Sequence, residues 1–273
     1  NHFFLYQNAN LKVMNKFKHG SLKLTSLNFF RKLISLVKSG IIELMKIAIA
    51  SDLFWPMING ISVFSKNLAE QMTARGHEVV VFAPSQTGEY YIEEIDGYRV
   101  VRLSSTNFPF YPNQTETLPE PRKIAGGRIT VPRIYLHNGY RLSLLPILEI
   151  RKFCKENNFT PDVAHIQLQL FVGQAMIDYA RRHNIPVVIT NHSSPENLFD
   201  NLKMLAPLSP IINRTVLLYT KRFALQADYA TMPTRQAIER HFKNPEKAKM
   251  PIEAVSNGID LSRFTPTKPP KEF

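Results

Sequence analysis

Three short apolar runs in this sequence are each followed at once by polar residues able to bind or react. Ser51-Asp52-Leu53-Phe54-Trp55-Pro56-Met57-Ile58-Asn59-Gly60 follows the run Lys46–Ala50. Gly60 lets backbone come close to a ligand, and the free amides of a helix starting there suit a phosphate. Read alone, Asn59-Gly60 is also a plain turn. His165 closes a second run. His192 follows a third, in Thr190-Asn191-His192-Ser193-Ser194-Pro195-Glu196. Ser194 fits a helix N-cap and Pro195 the first helical position. An imidazole beside such a helix start stays neutral, because the positive end of the dipole opposes its protonation. A neutral ring there can hydrogen-bond a hydroxyl or a carbonyl. The plainer reading, for His165 above all, is an internally satisfied histidine.

Motifs that are missing narrow the chemistry. There is no G-x-G-x-x-G, which disfavours a nicotinamide dinucleotide, and no G-x-x-x-x-G-K-[ST] for a P-loop. No G-x-S-x-G elbow occurs, and no His/Cys/Asp set has metal-ligand spacing. A fourth feature is electrostatic. Pro121 to Leu148 holds Arg122, Lys123, Arg128, Arg133 and Arg141 and no acid, with Phe108, Phe110, Tyr111, Ile134, Tyr135 and Leu136 around them. Basic plus aromatic character suits a lipid headgroup surface, a single-stranded nucleic acid, or simply a solvated loop.

The elements that must position these residues alternate in type. Lys46–Ala50 reads as a buried strand. Ile61, Phe64, Leu68 and Met72 fall on one helical face, closed by Arg75-Gly76, and Glu78–Pro84 is the next strand. This β-α-β unit predicts parallel strands. Two edge-like strands, near Tyr90–Ile95 and Tyr98–Leu103, turn at Asp96-Gly97. Residues 104–141 look irregular, and a segment of that length is usually functional or mobile. A helix is expected over Leu144–Asn157. Strand and helix then alternate as Asp162–Ile166, Val172–His183, Val187–Asn191, Ser194–Leu205, Pro210–Gln226, Tyr229–Pro233, Thr234–Phe242 and Glu253–Ser256. The pattern predicts an α/β fold, a doubly wound parallel sheet of Rossmann-like type with helices on both faces.

Composition is consistent with that. The chain has 273 residues, is 44% apolar and 21% charged, and can bury a real core. Cys154 is the only cysteine, so a disulfide scaffold is excluded. The run Ile34 to Ala50 is broken by Lys38, Glu43 and Lys46, which disfavours a membrane span. The net charge of +12 divides evenly: residues 1–45 hold seven Lys/Arg and one acid for +6, leaving +6 for the rest. Nucleic acid, anionic membrane and phosphorylated substrates are all compatible partners. Met45 opens the first strand and reads as a natural start. Residues 1–44 are then a non-native or disordered basic extension, or else an amphipathic helix lying on an anionic membrane. Three prolines in the last eight residues make 265–273 an extended linker, so a further domain is expected after it.

Taken in order, several motifs resemble a known family. They are Asp52-x-Phe54-x-Pro56-x-x-Asn59-Gly60, Arg75-Gly76-His77-Glu78-Val79, Pro161-Asp162-Val163-Ala164-His165, Thr190-Asn191-His192, Pro195-Glu196-Asn197-Leu198 and Ser256-Asn257-Gly258-Ile259-Asp260-x-x-x-Phe264. Over residues 45–266 the chain resembles the N-terminal half of family 4 glycosyltransferases, of GT-B fold. The resemblance implies an acceptor domain over 45–264 and a second, donor domain not contained in this chain. It implies hexosyl transfer with retention from a nucleotide sugar of UDP-glucose or GDP-mannose type, with no metal or other cofactor. By motif match, His192 is the catalytic strand-end histidine that contacts the transferred sugar. Asp52, Asn59, Gly60, His165, Asn257 and Gly258 fall in the donor-phosphate and acceptor region. Two positions depart from the pattern: Ser256 replaces the usual Pro before Asn-Gly, and Gln167 replaces a second His.

Within the family, Asn-His-x-x-Pro-Glu-Asn and the basic aromatic segment look most like the phosphatidylinositol mannosyltransferase-like and diacylglycerol glucosyltransferase-like members. Those work on lipid acceptors at the cytoplasmic face of the membrane, with Arg122, Lys123, Arg128, Arg133 and Arg141 as the expected contact. Holding half a site, the chain is expected not to transfer sugar alone. The alternatives are a member acting on a soluble or cell-wall glycan, and a stand-alone acceptor-binding half. A nucleic-acid binder rests on charge alone and is not expected.

Overall fold

The computed structural model describes residues 44–107, 115–116, 136–137, 140–168, 170–192 and 209–257. Within them the alternation appears as β1 (Lys46–Ala50), α1 (Gly60–Ala74), β2 (Glu78–Pro84), β3 (Tyr91–Ile95) and β4 (Tyr98–Leu103). Next come the two-residue strands β5 (Thr106–Asn107), β6 (Thr115–Glu116), β7 (Leu136–His137) and β8 (Arg141–Leu142). The second half is α2 (Pro146–Glu156), β9 (Val163–Ile166), α3 (Phe171–Arg182), β10 (Val187–Thr190), α4 (Ser209–Ala224), β11 (Tyr229–Met232), α5 (Arg235–His241) and β12 (Ile252–Ala254). The expected helix over Ser194–Leu205 lies outside the described residues, as do 1–43 and 258–273.

One sheet carries the fold, in the order β12-β11-β10-β9-β1-β2-β4-β3. All neighbours pair in parallel except β3, which runs antiparallel to β4. This is the doubly wound α/β sheet that the sequence predicts. The expectation that both are edge strands is corrected: of the two, β3 alone is at an edge, because β4 also pairs with β2. The β3–β4 turn is Asp96-Gly97, both with positive φ (47° and 84°), as a tight hairpin of matching twist requires.

Alternate strand residues serve the two faces. Ala48, Ala50, Val80 and Phe82 pack against α2 and α3, through Ile150, Phe153, Val172 and Met176. Ile47, Ile49, Val79 and Val81 pack on the other face with Ala69, Leu68 and Met72 of α1. Helix α1 ends as its Gly76 predicts. Gly76 has φ +87°, its amide donates to Thr73 O (2.8 Å), and the His77 amide donates to Met72 O (3.2 Å). That double closure satisfies the last carbonyls of the helix.

Residues 104–141 are less irregular than expected at their ends. β5 pairs with β8 and β6 with β7, both antiparallel. Two-residue strands are too short to leave an alternating pattern in sequence.

Candidate active site

Ligands of open parallel sheets lie beyond the carboxyl ends of the strands, where the strand order reverses. Here the reversal falls at β1 and β9: from β1 the chain winds out through β2 and β4, then returns to β9 on the other side. The residues just past β1, β9 and β10 therefore meet at one place.

Past β1, Asp52 turns its buried carboxylate onto the start of α3. It accepts from Val172 N (2.9 Å), Leu170 N (3.3 Å) and Gly173 N (3.3 Å). It thus caps a neighbouring helix, satisfying amides that lack intrahelical partners. Burial pushes its pKa up to about 6, against the opposing pull of those amides. Gly173 is required by the same joint. A Cβ there would stand 2.3 Å from Leu168 O and 2.9 Å from Ile166 Cγ2.

The loop continues over a buried ion pair. Arg102 Nε donates to Glu93 Oε1 at 2.7 Å, with both side chains nearly inaccessible. The same guanidinium donates from Nη2 to Trp55 O and lies over the Phe54 ring, 5.5 Å from its centroid. Asn59 then starts α1 in a reciprocal capping box. Ser62 N donates to Asn59 Oδ1 (2.9 Å), and Asn59 N donates to Ser62 Oγ (3.2 Å). Among the described residues, a Cβ on Gly60 would meet no atom within 4 Å, so none of them demands glycine there.

Past β9 and β10 lie Gln167 and His192. The Gln167 amide extends the β1–β9 ladder to Ala50 O (2.9 Å), and its side chain is fully buried. Gln167 Oε1 and His192 Nε2 are 3.0 Å apart. The His192 ring also packs on Phe64 of α1, with centroids 4.7 Å apart and planes at 59°. Burial pulls the His192 pKa down to about 4. The neutral imidazole expected from a helix dipole is therefore neutral on account of burial; the helix start at Ser194 lies outside the described residues.

His165 is placed differently. It is buried, its Nε2 lies 2.8 Å from Thr190 Oγ1, and Thr190 Oγ1 lies 2.8 Å from Thr231 Oγ1. Burial first, and His192 second, lower its pKa to about 3. The ring ties β9, β10 and β11 together from inside, so the plainer sequence reading of His165 describes it. Arg141 is also turned inward. It is 9% exposed, with Nε donating to Ser105 Oγ (2.9 Å), Nη2 to Ser105 O (3.1 Å) and Nη1 to Asn107 Oδ1. Its guanidinium, expected at a membrane contact, is turned onto Ser105 and Asn107 beside the β5–β8 pair. Arg122, Lys123, Arg128, Arg133 and Gly258 lie outside the described residues. Asn257 is exposed just past β12, three strands from β9 on the same sheet edge.

Sequence reasoning did not single out Gly173, Phe64, Arg102 or Tyr219 as part of this region. Tyr219 of α4 is pushed up by burial, with the Asp52 charge adding to the effect. Phe64 sits on the apolar face of α1 and left no signal beyond core packing. Among the described residues no group of three His, Cys, Asp or Glu could hold a metal ion, and no helix is long and apolar enough to cross a membrane.

Comparison with known proteins decides the lineage. A family model described as Glycosyltransferase Family 4 matches residues 58–263, well over half of the chain. The chain belongs to Glycosyltransferase Family 4. It is 24% identical over 226 residues to a GDP-mannose-dependent alpha-mannosyltransferase of Mycolicibacterium smegmatis, covering 82% of this chain and 50% of that one. It is 24% identical over 222 residues to an alpha-monoglucosyldiacylglycerol synthase of Acholeplasma laidlawii, covering 81% and 48%. A synthase of the same name from Streptococcus pneumoniae is 22% identical over 220 residues, covering 81% and 42%. The chain spans about half the length of the curated relatives it matches.

Proposed function

We propose that this chain is the acceptor domain of a retaining hexosyltransferase, which moves a hexose from a GDP-mannose- or UDP-glucose-type donor to a membrane lipid. The donor domain completes the cleft in the full-length protein, and 265–273 begins the linker to it. In this reading Asn59 and Gly60 lie near the donor diphosphate and His192 contacts the transferred sugar. No cofactor takes part, and the protein works peripherally on the inner face of the cell membrane. The open space over Gly60 supports the first assignment, since a phosphate can approach the α1 amides without obstruction. The neutrality of His192 supports the second, since a neutral ring can both donate to and accept from hydroxyls.

The observation that carries the lipid acceptor is an exposed apolar patch on the same edge of the sheet. Leu144, Leu145 and Leu148 stand 58%, 70% and 60% exposed at the start of α2. Glu149 in that first turn accepts from Ser104 N (2.7 Å), just past the end of β4, which fixes the patch at the carboxyl edge. Three exposed leucines that follow a basic stretch of sequence suit a headgroup and acyl boundary.

The test uses full-length protein, radiolabelled GDP-mannose and UDP-glucose, and anionic vesicles containing diacylglycerol or phosphatidylinositol. Label passing to the organic phase, with the anomeric configuration of the donor kept, is the expected result. Leu145→Glu/Leu148→Glu should reduce vesicle flotation and transfer together. Transfer to soluble glycans alone would sink the lipid reading. Turnover by residues 45–273 alone would sink the two-domain reading.

A further inference from the structure

Among the described residues, Gln167 is a fully buried side chain that joins His192 to the β9 end, and half of its carboxamide is unspent. Its Oε1 lies 3.0 Å from His192 Nε2, while its Nε2 is buried with no hydrogen-bond partner. An amide N–H left unmatched inside a protein is costly, and such groups need an explanation. Its backbone is pinned by the ladder bond to Ala50 O, and full burial with the His192 contact restrains the carboxamide. On the other side of the imidazole, the Phe64 ring limits how far it can turn. Among the described residues, His192 Nδ1 has no hydrogen-bond partner.

We propose that Gln167 is the positioning residue of His192, holding it as the Nε2–H tautomer with Nδ1 free to accept, and keeping its own buried NH2 as a donor for the same hydroxyl-bearing ligand. With Oε1 as acceptor, Nε2 must carry the ring proton, so Nδ1 carries the lone pair. The pair then presents one acceptor and one donor, which matches a polyol such as a sugar. The opposite carboxamide orientation would put NH2 against Nε2, leave Oε1 buried and unmatched, and require the Nδ1–H tautomer. The ligand class rests on the proposed sugar transfer; the tautomer does not. Among the described residues, the titratable group coupled to His192 is His165, itself neutral.

The experiment is nitrogen-15 NMR of histidine-labelled full-length protein at neutral pH, with the His192 signals assigned by their loss in His192→Gln. The wild type should show a single Nε2–H tautomer. Gln167→Glu keeps an acceptor and should keep Nε2 protonated. Gln167→Met removes it and should give a tautomer mixture, with kcat for sugar transfer lowered about tenfold, the worth of one hydrogen bond. Gln167→Glu should spare the tautomer yet raise KM, because the NH2 donor is gone. An Nδ1–H tautomer in the wild type overturns the inference, and so does an unchanged tautomer in Gln167→Met. Should no donor be turned over at all, the sugar-transfer reading fails while the tautomer result stands. Should turnover occur with the wrong tautomer, only the positioning role fails.

Discussion

Asp52→Asn separates a residue that builds the site from one that touches the substrate. Asp52 accepts three amide bonds at the start of α3, from Leu170, Val172 and Gly173. Asn keeps the shape and one acceptor oxygen, but turns an NH2 onto amides that are themselves donors. Each buried N–H so stranded costs about 1–3 kcal/mol. The cost has a pH dependence with a defined sign. The folded pKa of Asp52 is raised to about 6 from 3.8, so its contribution is present below the unfolded value and lost as pH rises through about 6. Near pH 5 roughly one pKa unit of that contribution remains, on the order of 1 kcal/mol, and near pH 8 none does. Asn does not titrate, and the histidines are common to both proteins and cancel in the difference. Urea unfolding of wild type and Asp52→Asn at both pH values should therefore show a gap about 1–2 kcal/mol wider at the lower pH. A gap that widens toward pH 8 would mean the carboxylate is the preferred form, and that the amides outweigh burial. Equal stability at both pH values with transfer abolished would refute the capping role altogether.

Other residues of the region give equally direct tests. Gly60→Ala should leave urea stability within about 1 kcal/mol of wild type, since its Cβ meets nothing, while weakening donor binding measured by calorimetry on the full-length protein. Unchanged donor affinity would remove Gly60 from the site. Gly173→Ala should destabilise by at least about 1–3 kcal/mol, because its Cβ would stand 2.3 Å from a backbone oxygen that a rotamer change cannot move; a neutral melt would show that α3 can slide. Arg102→Met should cost about 3–5 kcal/mol by leaving Glu93 buried without its guanidinium, and Arg102→Met/Glu93→Leu should recover most of it. A double mutant no better than the single would place the loss in the Trp55 loop instead. Burial depresses His165 to about 3 and His192 to about 4, so their contribution is full above about pH 6.5 and lost as pH falls through those values. Thermal melts should fall steeply with acid, and a flatter acid limb is expected for His165→Gln; identical limbs would contradict the depressed value.

The fold was legible because its signals are local and repeated. The helix face Ile61, Phe64, Leu68 and Met72, the Gly76 stop and the run Glu78–Pro84 reported a parallel pair whose register is Ile47 to Val79. Asp96-Gly97 reported a hairpin by backbone chemistry alone. Strand order was not legible in the same way. Nothing in Tyr91–Ile95 says that it skips a place and leaves β4 inside the sheet, since that depends on which strand edge remains open. The β5–β8 and β6–β7 ladders are set by partners some 20 to 36 residues away, beyond any periodicity.

The site divides along a different line. Position after a strand told correctly which residues reach the sheet's carboxyl edge, but not what each one does there. Asp52, His165 and Arg141 are polar residues at expected places, and all three are occupied by the protein itself: with the α3 amides, with Thr190, and with Ser105 and Asn107. Asn59 is half occupied, its oxygen on Ser62 N and its Nδ2 buried without a partner. Gln167 is in the same condition beside His192. A structural polar group spends its hydrogen bonds on its own chain, whereas one kept for a ligand holds a donor or acceptor in reserve, at a cost to stability. By that criterion the unspent groups at this edge include the amides of Asn59 and Gln167 and Nδ1 of His192, beside the open space at Gly60. They lie just past β9 and β10 and at the start of α1, around the point where the strand order reverses. A residue type read from sequence cannot separate spent from unspent, because the partners that make the difference are more than a hundred positions away for Asp52 and 25 for His165.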